Sequence, residues 1–282
     1  MAATRGVLVM AYGTPATPED VETYYTHVRR GRPPAPEQLV ELMGRYAAIG
    51  GTSPLLARTR AQATGLAAAL GDGYRVELGM KHAPPFIEDG VAALRASGAD
   101  PIVGLVLAPH YSRLSVGEYA ERAGDGVRVV ESWHLEPGFI DLLARYVGEV
   151  ITSDSEVIFT AHSLPSRILD EGDPYPRQLE ETAAAVAERA GVERWSVAWQ
   201  SAGRTPEPWI GPDILEVLPT RSGHVVVCPA GFTSDHLEVL YDLDIEAAGV
   251  ASELGLGFAR TRMPNDDPQL CATLAEVVRR HF

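Results

Sequence analysis

Apolar residues in this 282-residue chain arrive in short β-branched or Leu-rich runs that stop at Gly, Pro or His. Such runs read as buried strands. They predict strands at Val7–Ala11, Tyr74–Met80, Ile102–Ala108 and Val127–Glu131, then a second set at Val157–Ala161, Trp195–Trp199, His224–Cys228 and Leu256–Thr261. Between them the apolar period lengthens to that of a helix, predicting helices over Pro36–Tyr46, Pro54–Leu70, Phe86–Ala96, Phe139–Val150 and Pro176–Ala190. Several open on proline, whose fixed φ and missing N–H suit a first turn, and close on glycine. Strand–helix alternation of this kind requires parallel sheets covered on both faces.

Four strands followed by four more give an α/β fold of two Rossmann-like lobes, each a four-stranded parallel sheet flanked by helices, with a cleft between them. The polar break at Ser153–Ser155 sets an N-terminal lobe of residues 1–153 and a C-terminal lobe of residues 154–266. The remaining stretch, 267–282, is expected to form a helix that packs back on the first lobe. Ligands of parallel sheets bind outside the carboxyl ends of the strands. Tyr12, Lys81-His82, His110, His162 and Gln200 all directly follow or end apolar strands. No Gly-x-Gly-x-x-Gly follows the first strand and no Walker-type loop occurs, so no nucleotide cofactor is expected.

A single histidine ending a strand, as His162 does, is more often structural than chemical. Its best partner lies in Ser234-Asp235-His236-Leu237-Glu238-Val239-Leu240-Tyr241-Asp242, a helix start that follows the seventh strand. Asp235, Glu238, Asp242 and Glu246 recur at spacings of three, four and four, which stacks four carboxylates on one helical face. Like charges so placed repel one another, and a solvated acidic face is the commoner explanation. The stripe begins beside a strand end, however, and that favours metal handling. Histidine with carboxylate suits Fe²⁺ as ligands and equally suits proton removal. The residues alone leave the two roles open.

Composition narrows the class. A net charge of −14 argues against nucleic-acid binding, which needs basic surface. The charge is uneven: residues 21–60 hold six arginines against three glutamates, a segment suited to an anionic ligand. No apolar run reaches the ~18 residues of a spanning helix, and the N-terminus runs directly into a strand without a signal-peptide pattern. A cytoplasmic protein with no membrane insertion is expected. Cys228 and Cys271 stand apart with no Cys/His neighbours in sequence, so neither a disulfide, a zinc site nor an iron–sulfur cluster is expected.

Ordered motifs then make a specific resemblance. Tyr12-Gly13-Thr14-Pro15, Tyr24-Tyr25-Thr26-His27-Val28-Arg29-Arg30-Gly31, Arg45-Tyr46, Ile49-Gly50-Gly51-Thr52-Ser53-Pro54-Leu55 and Met80-Lys81-His82 lie in the first half. Ala161-His162-Ser163-Leu164-Pro165, Gly172-Asp173-Pro174-Tyr175-Pro176, Trp199-Gln200-Ser201 and the Asp235–Asp242 helix start follow in the second. Together they resemble the ferrochelatase family, and most of all its soluble Gram-positive branch, which metallates coproporphyrin III. The resemblance implies Fe²⁺ insertion in heme biosynthesis, with iron as substrate and no organic cofactor. It implies His162 and Glu238 as the iron-handling pair and Tyr12 as an axial ligand to product iron. Arg29, Arg30, Arg45, Tyr46, Ser53 and Tyr119 would hold the tetrapyrrole and its propionates, and Asp242 with Glu246 a secondary cation. The partners implied are the porphyrin, Fe²⁺ and neighbouring heme-pathway enzymes, with the protein itself a monomer. The loops at Glu121–Gly126 and Val150–Glu156 are shorter than is usual in the family, and they are expected to alter the outer rim of the cleft. Rival readings are insertion into protoporphyrin IX, cobalt chelation, and a non-catalytic tetrapyrrole-binding protein.

Overall fold

A computed structural model describes residues 4–282. Eight strands form two sheets: β1 (Arg5–Ala11), β2 (Tyr74–Met80), β3 (Ile102–Val106) and β4 (Val127–Val130) in one, and β5 (Ser155–His162), β6 (Trp195–Gln200), β7 (His224–Cys228) and β8 (Gly257–Arg260) in the other. Their orders, β2-β1-β3-β4 and β6-β5-β7-β8, are the same arrangement used twice. Every pairing is parallel. All eight predicted strands are therefore present. The central strands are buried almost throughout, because helices cover both of their faces.

The helices are α1 (Val21–Val28), α2 (Pro36–Ala48), α3 (Leu55–Leu70), α4 (Ile87–Ala96), α5 (Glu118–Ala123), α6 (Pro137–Gly148), α7 (Arg167–Asp170), α8 (Tyr175–Ala190), α9 (Ile214–Val217), α10 (Leu237–Tyr241), α11 (Ala248–Glu253) and α12 (Pro268–Arg280). The short ones escape periodicity, which needs several turns to register. Asp267 caps α12 by accepting the Gln269 N–H, with Pro268 in the first turn. The same carboxylate accepts the Tyr146 hydroxyl at 2.7 Å and an Arg145 N–H at 3.1 Å, so the start of α12 is tied to α6. Packed against α3 and α6, α12 joins a core that also holds Phe139 and Tyr146 of α6, Leu179 of α8 and Phe159 of β5. The two sheets thus share one central core, with smaller outer cores beyond each.

Both sheets reverse their winding beside the first strand, between β1 and β3 and between β5 and β7. Those switch points open at the carboxyl ends, where ligands of such sheets bind. Tyr12 follows β1 and His162 ends β5, the matching position in the other lobe. The segments after β3 and β7 also correspond: each contains a π-helical turn, Arg113–Gly117 before α5 and Asp242–Ala247 after α10. The two short loops fall elsewhere. Gly124–Gly126 leads into β4 and Thr152–Asp154 into β5, at the amino ends of the strands. Glu121 and Arg122, where the first loop begins, nonetheless line the cavity.

Candidate active site

A cavity of about 1120 Å³ opens between the switch points, larger than the ~300–1,000 Å³ of typical small-ligand sites. Its two ends carry different groups. At one end β5 delivers His162 and the first turn of α10 delivers Glu238, with His162 Nε2 at 3.6 Å from Glu238 Oε1. His162 Nδ1–H donates to the Ser163 carbonyl, which turns Nε2 toward Glu238. The other Glu238 oxygen lies 3.4 Å from His236 Nε2. Burial opposes the imidazolium, but the Glu238 carboxylate outweighs it, aided by the Ser163 carbonyl and Asp242. The His162 pKa rises to about 9. Burial likewise opposes the Glu238 carboxylate, and His162 and His236 overcome it, holding Glu238 well below the usual carboxylate range. At neutral pH His162 and Glu238 therefore form an imidazolium–carboxylate pair, not the neutral imidazole that proton removal requires.

The backbone around the pair is set by close packing. A Cβ on Gly231, in the turn after β7, would meet Ala161 Cβ at 2.4 Å, so only glycine lets this turn run against β5 beside His162. Buried Gln200 braces the two sides. It accepts the Thr160 hydroxyl at 2.8 Å, donates to the Glu238 carbonyl at 3.2 Å, and its own carbonyl accepts the Ser163 N–H.

The opposite end gathers three cations with carboxylate partners. Lys81, only 8% exposed, pairs with Glu118 and lies 5.3 Å from the Tyr119 ring centroid. Arg30 reaches the same Glu118 at 3.4 Å, and Arg122 holds Glu88 through two hydrogen bonds of 2.9 and 2.8 Å. His82 meets His27 ring to ring at 3.0 Å, and burial, helped by Lys81, His27 and Arg122, lowers its pKa to about 3, leaving it neutral. Tyr12 presents its ring to the cavity with 42% exposure, and burial of its phenol together with Glu238 and Glu118 raises the pKa strongly. Tyr24, Tyr25, Tyr46, Ser53, Tyr119 and Trp209 complete the walls. Burial pushes Tyr46 up to about 12 despite the bond between its hydroxyl and Thr14.

The structure thus brings Tyr12, Arg30, Tyr46, Ser53, Tyr119, His162 and Glu238 to one cavity. It does not bring Arg29 or Arg45 there. Arg29 caps the end of α1, donates to the Arg32 carbonyl at 3.3 Å and stacks on Tyr25. Arg45 pairs with Asp242 at 3.5 Å and Glu41 at 3.7 Å, over the Tyr241 ring. Asp242 consequently already has a cation beside it, and Ser201 donates to its other oxygen. Burial and Glu238 raise the Asp242 pKa to about 7, against the Ser201 bond and Arg45. Glu246 adds a smaller repulsion from a half-buried position. The four-carboxylate stripe is cut to three: Asp235 precedes the helix and bonds Asn265 at 2.8 Å and Arg260 at 3.5 Å. His110 is buried against Thr182 at 2.9 Å, with its pKa lowered to about 3 by burial and His134, a structural role. Glu118 and Arg122 went unsingled in the sequence. Their spacing of four, flanking Tyr119, was the available signal.

Among the described residues no helix is long and apolar enough to cross a membrane, and no three or more His, Cys, Asp or Glu are grouped to hold a metal ion. A metal entering this cleft would meet the His162–Glu238 pair and whatever ligand lies across the cavity. Fold and cleft define an α/β protein of two lobes, each built on a four-stranded parallel sheet. Solved structures with this architecture include the sirohydrochlorin chelatase of Bacillus subtilis subspecies spizizenii in complex with cobalt, with a TM-score of 0.56 at 12% identity over 99% of this chain and 95% of that one. The B. subtilis protein with Fe³⁺ gives 0.55 at 13% identity, covering the same shares. At such identity the likeness shows the fold alone. The family follows from sequence: the ferrochelatase family model matches residues 4–282. The coproporphyrin III ferrochelatase of Anoxybacillus flavithermus is 48% identical over 98% of this chain and 96% of its own length. That of Halalkalibacterium halodurans is 45% identical over 98% and 96%. The chain belongs to the ferrochelatase family.

Proposed function

We propose that this protein inserts Fe²⁺ into coproporphyrin III to give Fe-coproporphyrin III with release of two protons, a step of heme biosynthesis. The observation that carries this reading is the His162–Glu238 pair at one end of a cavity whose other end brings Arg30, Lys81 and Arg122 together. The relatives named as coproporphyrin III ferrochelatases, matched along almost their whole length, support the substrate.

The chemistry exchanges two pyrrole N–H protons for one dication, without a redox step. Glu238, kept ionised, attracts Fe²⁺ to the macrocycle. Close approach of a dication disfavours the neighbouring imidazolium, so His162 releases its proton to water; the neutral ring can then ligate iron, or take the two pyrrole protons in turn and pass each to water. Arg30, Lys81 and Arg122 provide charge-assisted donors for propionates, with hydroxyls from Ser53, Tyr46 and Tyr119. Tyr12, whose ring faces the cavity, would approach iron as a ligand. A further cation at Asp242 and Glu246 would compete with Arg45.

Anaerobic incubation with Fe²⁺ and coproporphyrin III, followed by visible absorption, tests the assignment. The metallated spectrum should form with the wild type and be nearly lost in Glu238→Gln, which keeps shape but removes the charge. Tight porphyrin binding without metal insertion would make the protein a carrier instead.

A further inference from the structure

Glu238 belongs to the C-terminal lobe, yet the segment that leads into its helix is held from the N-terminal lobe. Gln62 of α3 is 1% exposed and spends both amide hydrogens across the lobe boundary, on the Thr233 carbonyl at 3.1 Å and the Asn265 carbonyl at 2.9 Å. The Thr233 hydroxyl donates back to the Leu107 carbonyl, beyond β3, at 3.1 Å. Asn265 takes the left-handed region, with φ 46°, and its N–H donates to the Thr233 carbonyl at 2.8 Å. Its side-chain oxygen accepts the Asp235 N–H at 2.9 Å while its amide donates to the Asp235 carboxylate at 2.8 Å. Three residues past Asp235 stands Glu238.

These bonds form one chain from α3 through Thr233 and Asn265 to Asp235, the last anchored residue before α10. Arg260 on Asp235 and Gln200 on the Glu238 carbonyl hold the entry of that helix from within its own lobe. Its N-cap residue, His236, makes no side-chain capping bond, and α10 is only five residues long before the π-helical turn begins. From Leu237 the helix runs on through the π-helical turn into α11, so the way its first turn is held sets the direction of the whole run. The tether is the contact from the N-terminal lobe that bears on where Glu238 lies relative to His162. Resting on the function proposed above, we infer that Gln62 is a positioning residue for metal insertion, acting through Asn265 and Asp235 to set the His162–Glu238 gap.

Gln62 also lines the cavity, and its Oε1 is buried with no partner. A direct contact with porphyrin would show in binding, whereas a positioning role would show in turnover. The test compares Gln62→Met, which keeps length but removes both donors, with Asn265→Gly, which keeps the left-handed backbone but removes the bonds to Asp235. Both variants should bind coproporphyrin III within about threefold of wild type. Each should lose kcat by about tenfold to a hundredfold, the scale of a misplaced catalytic group. Because the two act on one tether, the double variant should lose little more than the worse single.

Normal kcat in either folded single variant would overturn the inference. So would a loss in Gln62→Met accounted for by weaker porphyrin binding, or fully multiplicative losses in the double variant. Should Gln62→Met fail to fold, Asn265→Gly decides alone on kcat and binding. Glu238→Gln is run in parallel: if it turns over normally, the assignment of Glu238 fails, whatever the tether variants do.

Discussion

His162 and Glu238 are defined by each other. The His162 pKa is raised from 6.5 to about 9, so the stabilisation from pairing is complete below pH 6.5 and is lost as pH rises through about 9. Glu238, shifted down, contributes at every pH above the unfolded carboxylate range and loses its share only in acid. Thermal denaturation of wild type and Glu238→Gln across pH should therefore show a wild-type advantage near pH 6 that shrinks toward pH 9. A constant difference would mean that the pair is not an ion pair in solution. His162→Ala should abolish metal insertion, since it removes both ligand and proton acceptor, while porphyrin binding stays within a few-fold. Comparing the rate of Fe²⁺ insertion with fluorescence quenching by bound porphyrin separates the two effects.

At the scale of elements, helix α10 and its π-helical continuation carry Glu238 and Asp242, while α2 brings Arg45 to Asp242 from the other lobe. This contact alters what Arg45 is expected to do. With the Asp242 pKa near 7, the carboxyl is mostly neutral at pH 6 and mostly ionised at pH 8. Arg45→Ala should therefore destabilise the protein more at pH 8 than at pH 6. The difference should be about 1–3 kcal/mol, the usual worth of a hydrogen bond or contact to a charged group. Urea unfolding at the two pH values measures it. Equal losses would place Arg45 elsewhere, free for the ligand. The same contact explains why the acidic helix tolerates its own repulsion: Asp242 is offset by Arg45 and Ser201, and Asp235 has left the helix for Asn265 and Arg260.

For the whole molecule, two lobes built on one sheet order place a carboxylate–imidazole pair at one end of a cleft and three cations at the other. Exposed Val40 and Met43 on α2 give the surface a small apolar patch. Coproporphyrin III presents four propionates and protoporphyrin IX only two. Each well-formed charge-assisted contact shielded from water is worth about 1.5–3 kcal/mol, or roughly ten- to a hundredfold in binding. The specificity constant should favour coproporphyrin III by at least about tenfold on that scale, and Arg30→Ala should narrow the gap. A wild type that prefers protoporphyrin IX would overturn the substrate assignment, and unchanged selectivity in Arg30→Ala would remove that residue from propionate binding.

All eight strands and the places of Tyr12, His162 and Glu238 were legible in the sequence, because burial of a parallel strand writes itself into consecutive apolar residues and strand ends mark the ligand-binding edge. Those are local effects, set by neighbours in the chain. Which charge meets which is not local. Nothing in the periodicity relates Arg45 to Asp242, Lys81 to Glu118 or Gln62 to Asn265, since each pair is joined only when separate elements close on one another. The protonation of His162 belongs to the same class: burial alone would have kept the ring neutral, and only the carboxylate delivered by α10 reverses it. Sequence determined the sheets and the residues at their edges; the closing of the two lobes decided their partners and their charge.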